Sequence, residues 1–228
     1  MCDQNSLARN LNSVRERMAN AAARVGMPIP ELLAVTKSCD DDTFRAMLSL
    51  GVNAVGENRA RQCEARHEII KSAGVACDMH FIGSLQKNKA KYLVGRIALL
   101  HSLDSIGLAE ELDRLSQKKG IRTAVLLEIN SGKEENKGGI LPEKIDEFAA
   151  EIAAFQGLSV QGIMTMAPNL ETAEEYRPYF RDTRRAFERL TPYFDTDRPI
   201  LSMGMTDSFE VAIEEGATMV RVGSALFM

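Results

Sequence analysis

The sequence is short of the features that would tie it to a membrane, a metal or a nucleic acid. Its four cysteines, Cys2, Cys39, Cys63 and Cys77, form no C-x-x-C pair and fall at unrelated spacings. That argues against both a zinc site and a disulfide framework and fits a reducing compartment. There is no excess of positive charge: a net charge of -4 gives no chain-wide attraction to phosphate backbones, so nucleic acid is not an expected partner. The stretch from Met1 to Gly26 carries Asp3, Arg9, Arg15, Glu16, Arg17 and Arg24 where a signal peptide or a membrane span would be apolar. A soluble, cytoplasmic protein is expected. No Pro/Gly/Ser-rich linker, repeat or low-complexity tract divides the chain. One domain over residues 1–228 is expected, with 1–30 as a leading helix and linker. With 45% hydrophobic and 26% charged residues, the composition supports a full core and argues against disorder.

What is present is an alternation of apolar, strand-like runs with helical patterns. The runs are Leu32 to Lys37, Ala54 to Glu57, Met79 to Gly83, Ala98 to Leu103, Thr123 to Asn130, Ser159 to Thr165, Ile200 to Gly204 and Met219 to Gly223. Between them, Ile106 to Lys119 places Leu108, Leu112 and Leu115 on one stripe, with Gly120 as the stop. Pro142 suits the opening of another helix, whose apolar face is Ile145, Phe148, Ala149 and Ile152. A helix after each strand implies parallel strands, and eight strands are the number that closes a barrel. The expected fold class is therefore α/β, a single-domain (β/α)8 TIM barrel. The open, doubly wound sheet is its alternative. An amphipathic helix from about Asp3 to Val25 leads the chain, and Met228 follows the last strand directly. The leading helix is expected to fill the place of a missing eighth helix.

Lys37 ends the first strand-like run and gives way to Ser38, Cys39 and three aspartates. A lysine there stands at the barrel mouth, where such folds keep their sites, and its amine can form a Schiff base with an aldehyde. The plainer reading is an exposed lysine capping a strand. Ser202-Met203-Gly204-Met205-Thr206-Asp207 and Arg221-Val222-Gly223-Ser224 occupy the turns after strands seven and eight, the usual phosphate address of this barrel. Their glycines let the backbone approach an anion. Closure of the barrel makes strand eight a neighbour of strand one, so Arg221 and Lys37 can reach one mouth. Their residue types match the two ends of a pyridoxal ring, the guanidinium for the ring nitrogen and the amine for the aldehyde. Alternatively, Arg221 pairs with a nearby carboxylate and stabilises the barrel top.

Five segments carry a resemblance: A-V-T-K at Ala34 to Lys37, G-E-N at Gly56 to Asn58, H-F-I-G-S-L-Q-K-N-K at His80 to Lys89, S-M-G-M-T-D at Ser202 to Asp207 and R-V-G-S-A-L-F at Arg221 to Phe227. In this order they resemble the pyridoxal phosphate homeostasis protein family, single-domain relatives of the alanine racemase barrel. The resemblance implies a fold type III barrel in which Lys37 holds pyridoxal 5'-phosphate as the internal aldimine and Arg221 lies by the pyridine nitrogen. It also implies that Ser202, Met203, Gly204 and Met205 hold the phosphate with Gly223 and Ser224. Asn58 and His80, from matching motifs, would line the mouth, although His80 could equally be a hydrogen-bonded structural histidine. Ser84 stands where the family usually has proline, Thr36 where serine is frequent, and the short tail often found after the last motif is missing. Cys39 beside the site is either oxidation-sensitive or inert.

A racemase needs an acid/base group opposite the lysine. The four tyrosines, Tyr92, Tyr176, Tyr179 and Tyr193, fall in segments read as helical and outer-ring, so none is expected there. An arginine beside the ring nitrogen also leaves that nitrogen unprotonated and the ring a weaker electron sink. The expected protein is a non-catalytic, monomeric binder that holds the cofactor reversibly, buffers or delivers it, and meets recipient apo-enzymes transiently. The resemblance, not any spacing, supplies the role in amino-acid and keto-acid balance. A weak amino-acid racemase is the alternative, and a barrel enzyme using Lys37 on a phosphorylated metabolite is another. Lys87, Lys89, Lys91, Lys133 and Lys137 offer either a second, looser aldehyde site or a solvated charged rim.

Overall fold

The computed structural model describes residues 4–134 and 137–228; Cys2 and Asp3 lie outside the described residues. Eight parallel strands close into a barrel in chain order: β1 (Glu31–Val35), β2 (Ala54–Glu57), β3 (Asp78–Phe81), β4 (Leu99–Leu103), β5 (Thr123–Ile129), β6 (Leu158–Thr165), β7 (Ile200–Ser202) and β8 (Met219–Val222). Closure runs through β8 and β1, where Leu33 is level with Arg221 and Ala34 with Val222. The open sheet is thereby ruled out. Helices ring the barrel: α1 (Gln4–Val25), α2 (Asp41–Ser49), α3 (Ala60–Ala73), α4 (Ile106–Lys119), α5 (Ile145–Ile152), α6 (Arg177–Leu190), α7 (Phe209–Glu214) and α8 (Ser224–Phe227). Between β3 and β4 the crossover is only a 3₁₀ turn, Lys87–Tyr92, so a full helix does not follow every strand. Among the described residues, no helix is long and apolar enough to cross a membrane.

Apolar spacing explains which faces are covered. In α1, Leu7, Leu11, Val14, Met18, Ala21 and Ala22 are buried, a stripe at helical period that needs an apolar surface to lie on. It lies beside α7 and α8. Asn10 donates to the carbonyls of Leu226 and Met228 at 3.2 and 2.9 Å, and Arg24 reaches Glu214 at 2.8 Å. A short eighth helix is therefore present, and α1 covers what its four residues leave open. Pro142 opens a 3₁₀ turn, Pro142–Lys144, before α5 buries Ile145, Phe148, Ala149 and Ile152.

Five strands end earlier than the apolar pattern predicts, β3 at Phe81 and β5 at Ile129 among them. β1 stops at Val35, β7 at Ser202 and β8 at Val222, where the chain passes from the ladder into turns, with single backbone bonds still reaching the neighbouring strand. The Cys39 N–H donates to the Thr36 carbonyl at 3.1 Å, and the Arg221 N–H to that of Gly204 at 3.1 Å. Lys37, Gly204 and Gly223 consequently sit in loops above the sheet.

The outer core, between sheet and helices, contains Phe44, Phe81, Leu112, Ile145 and Phe180. The barrel interior is filled separately, by Leu33, Ala54 and Met219 on one side and Leu99, Leu126 and Met164 on the other. Side chains alternate along each strand, so the interior residues one step higher are Val35, Gly56, His80, His101, Glu128, Ser202 and Arg221. Apolar filling thus gives way to a mainly polar layer at the mouth.

Candidate functional site at the barrel mouth

Lys37 sits on a turn tied down at both ends. On its N-terminal side, buried Thr36 donates its hydroxyl to Glu57 Oε1 at 2.6 Å, and its N–H meets the Gly56 carbonyl at 3.0 Å. On its C-terminal side, Arg66 from α3 donates Nη2–H to the Cys39 carbonyl at 2.7 Å and pairs with Asp41. Arg66 and Glu57 are themselves buried, at 3% and 0% exposed, with Arg66 Nε 3.7 Å from Glu57 Oε1, and the guanidinium lies 4.4 Å over the Phe44 ring. Burial raises the Glu57 pKa against the opposing pull of Thr36 and Arg66. The Lys37 amine is exposed, and no hydrogen bond or ion pair engages it among the described residues. Beside it, burial pushes the Cys39 thiol up to about 11, and Sγ lies 3.1 Å from the Thr36 carbonyl. A thiol so placed ionises less readily than a free one.

The polar layer below contains a hydrogen-bonded chain across the barrel. Arg221 donates Nη1–H to the Ser202 hydroxyl and carbonyl at 2.8 and 2.9 Å and Nη2–H to the Thr165 carbonyl at 2.9 Å. Ser202 Oγ lies 3.2 Å from His101 Nδ1, and His101 Nε2 lies 2.9 Å from His80 Nδ1. A guanidinium can only donate. The Ser202 hydroxyl therefore accepts from it and gives its own hydrogen to His101 Nδ1, which leaves His101 Nε2–H to donate to His80. Burial lowers the His80 pKa to about 4 and that of His101 well below the usual range, with help from His80 and Arg221. Both rings are neutral at pH 7. Burial likewise lowers Arg221 to about 10, against the charge of Glu128. Arg221 is thus held by Ser202 and Thr165 and not, as the plainer expectation had it, in a carboxylate pair. His80 is a bonded member of this chain and faces into the barrel.

The turns after β7 and β8 meet over Arg221. Gly204 has a φ of +87°, and a Cβ there would lie 2.5 Å from Ala212 Cβ and 2.9 Å from Phe209 Cα, so only glycine lets the turn sit against α7. The Met205 N–H donates to Ser208 Oγ at 3.2 Å, and Ser224 Oγ donates to Thr206 Oγ1 at 3.0 Å, which joins the two loops. A Cβ on Gly223 would touch Val35 at 3.4 Å, placing this turn against the top of β1. The Met203 side chain belongs to the outer core, so only its backbone can serve the mouth. Asn58 is half-buried in a loop so close to the one after β3 that a Cβ on Gly83 would lie 2.3 Å from the Asn58 carbonyl oxygen. Tyr176 ends a 3₁₀ turn, Ala173–Tyr176, in the helical ring as expected, yet it borders the mouth. It is 5% exposed, its hydroxyl accepts from the Leu170 N–H at 3.1 Å, and it lines a narrow cleft with Arg221, Gly204 and Met205.

The five rim lysines have ordinary surroundings. Lys87 is 3.9 Å from Glu110, Lys133 is 3.1 Å from Glu143 and Lys137 is 2.6 Å from Glu134, while Lys89 and Lys91 lie 6.0 and 5.3 Å from the centre of the Tyr92 ring. That is the charged-rim arrangement.

Sequence reasoning missed Arg66, Glu57, His101, Asp104 and Glu128. For two of them a signal existed: in Leu99-Leu100-His101-Ser102-Leu103 and Leu126-Leu127-Glu128-Ile129 a polar residue interrupts an apolar run at the interior parity near a strand's C-terminal end. Burial pushes Glu128 up to about 7, with the Asp104 charge adding to the rise and Arg221 opposing it.

Residues 3–228 match the alanine racemase N-terminal domain family. The chain is 41% identical over 219 residues to the pyridoxal phosphate homeostasis protein of Aquifex aeolicus, covering 95% of each. It is 33% identical over 230 residues to the protein of that name from Escherichia coli strain K12, covering 98% of this chain and 96% of the other. The structure of PipY from Synechococcus elongatus with PLP bound superposes with a TM-score of 0.83 at 29% identity, covering 97% of this chain and all of that one. Extending over nearly the whole of each protein, these matches leave one assignment: the chain belongs to the alanine racemase N-terminal domain family and, within it, to the pyridoxal phosphate homeostasis proteins.

Proposed function

We propose that this protein binds pyridoxal 5'-phosphate at the barrel mouth, holds it reversibly through Lys37, and serves to buffer or deliver it rather than to turn over a substrate. One observation carries the reading: an exposed, unpaired Lys37 amine on a clamped turn, over a mouth that also presents Arg221 and the glycine turns. The residues fit the cofactor. Lys37 supplies the amine, Arg221 faces the ring nitrogen as a donor that cannot protonate it, and the backbone of Ser202 to Met205 holds the phosphate with Gly223 and Ser224. Gly204 lets that turn lie against α7, where a Cβ would clash with Ala212 and Phe209, and Asn58 and His80 complete the walls. When bound, the cofactor supplies an aldehyde that takes a primary amine reversibly and a ring that withdraws electrons.

The protein's own residues account for the quiet chemistry. Arg221 is fixed by Ser202 and Thr165, and Ser202 is backed by His101 and His80, so the arginine has no proton to lend and no freedom to withdraw. A weak amino-acid racemase is the second reading, and Glu128 favours it as a carboxyl group near pH 7 on the strand opposite Lys37. Recipient apo-enzymes, a monomeric state and a cytoplasmic setting belong to the carrier reading.

The test is the visible spectrum of the protein with pyridoxal 5'-phosphate, followed by borohydride reduction and mass mapping of the modified lysine. A band at roughly 410 to 430 nm with reduction at Lys37, both lost in Lys37→Ala, is the expected result. A band unchanged in Lys37→Ala would refute the assignment. Exchange of the α-hydrogen of alanine in deuterated water separates the readings: the carrier shows none, and the racemase exchanges it.

A further inference from the structure

Glu128 is 8% exposed, yet among the described residues no donor reaches its carboxylate. Its position on β5 aims it into the barrel, one layer above Leu126, which fills the interior, and β5 is diametrically opposite β1 in the eight-strand order. Asp104, at the end of neighbouring β4, is half-buried and likewise without a donor. The two converge. A Cβ on Gly138 would lie 3.0 Å from Asp104 Oδ2 and 4.0 Å from Glu128 Oε2, so both carboxyl groups border one small space. Arg221, the cation whose charge Glu128 feels, makes no hydrogen bond or ion pair with either carboxylate: its Nη hydrogens go to Ser202, Thr165 and Met166.

Two carboxylates bordering one space with no cation between them repel each other, and the Asp104 charge indeed raises Glu128; a donor carrying positive charge would relieve that repulsion. We propose that Glu128 and Asp104 form a receptor for the ammonium group of a small primary amine on the wall of the mouth opposite Lys37. An ammonium carries one charge and three donors on a compact head, enough to serve both carboxyl groups at once. An anionic group would be repelled. A metal ion is disfavoured, since no three His, Cys, Asp or Glu side chains converge among the described residues. The inference rests on the cofactor reading for its purpose: an amine lodged there faces Lys37 as a competitor for any aldehyde that the lysine takes. Its binding does not require the cofactor.

The experiment uses cofactor-free protein labelled with ¹³C at the glutamate carboxyl carbons, at pH 8, with the Glu128 signal identified by its loss in Glu128→Gln. Ethylamine is expected to move that signal saturably, and Asp104→Asn to weaken the effect roughly tenfold, as loss of a charge-assisted hydrogen bond implies. Propionate should leave the signal still. A tighter response to L-alanine than to ethylamine identifies an amino acid as the source, and the reverse order identifies a simple amine. The inference is overturned if neither amine moves the signal, if Asp104→Asn leaves the response undiminished, or if magnesium moves the signal and ethylamine does not. Circular dichroism of both variants controls for folding. Normal Lys37 trapping without an amine response would sink this inference alone; an amine response without Lys37 trapping would sink the cofactor reading alone.

Discussion

Replacing Arg66 by methionine tests whether the turn that carries Lys37 is held as described. The change keeps an unbranched, apolar side chain of similar reach but removes the guanidinium over Phe44, a donor to the Cys39 carbonyl at 2.7 Å and the cation 3.7 Å from buried Glu57. Its pair with Asp41 adds little, because Asp41 is 72% exposed and such pairs are worth about 0–1 kcal/mol. The charged hydrogen bond contributes about 1.5–3 kcal/mol, and leaving one partner of a buried pair uncompensated costs about 3–5 kcal/mol in all. The expected loss at pH 7 is therefore about 3–5 kcal/mol by urea denaturation. The loss has a pH signature. Without Arg66 the folded-state pKa of Glu57, already raised by burial, rises further above its unfolded value of about 4.3. The native state then binds its proton more tightly than the unfolded chain, so the penalty is present above the folded pKa and shrinks as pH falls toward about 4.3. Adding Glu57→Gln should restore much of the lost stability. A loss under about 1 kcal/mol, a loss independent of pH, or no recovery in the double variant would refute the clamp.

Three further outcomes are expected. Lys37→Ala, at an exposed side chain with no partner, should change stability by no more than about 0.5 kcal/mol while abolishing the trapped adduct; a large loss in the same denaturation assay would mean that the amine has a structural role. Gly204→Ala puts a methyl group 2.5 Å from Ala212 Cβ at a φ of +87° and should cost about 3 kcal/mol from the left-handed backbone and overpacking together; a thermal melt within a degree of the parent's would contradict it. Glu128, raised to about 7 mainly by burial, makes the native state bind a proton that the unfolded chain releases near pH 4.3. The parent should therefore lose up to about 3 kcal/mol as pH rises from about 4.3 to 8. Glu128→Gln should remove that part of the slope, and an unchanged slope would place Glu128 in water.

The barrel was readable because its signals are local. Eight apolar runs separated by helical stripes require parallel strands with crossovers, and the α1 stripe from Leu7 to Ala22 requires a surface to cover. Strand ends were less readable, since an apolar run does not reveal where the ladder stops and turn bonding begins. That is why Lys37 and Gly204 proved to be loop residues.

Lys37 and Arg221, with the turns at Ser202 to Met205 and Gly223 to Ser224, were identifiable from residue types at the ends of strands, an address set by chain order alone. By itself, then, the sequence determined the alternation of elements and the loops that carry the mouth, because hydrophobic period and turn chemistry act over a few neighbouring residues, while closure through β8 and β1 was settled by the structure. Only the tertiary structure decided what those residues touch. Arg66 reaches Glu57 and Asp41 from another helix, His101 links His80 to Ser202 across the barrel, and Glu128 meets Asp104 from a neighbouring strand without a donor between them. Burial and long-range approach set the charge and tautomer of each of these groups, and neither is encoded within a short window of chain.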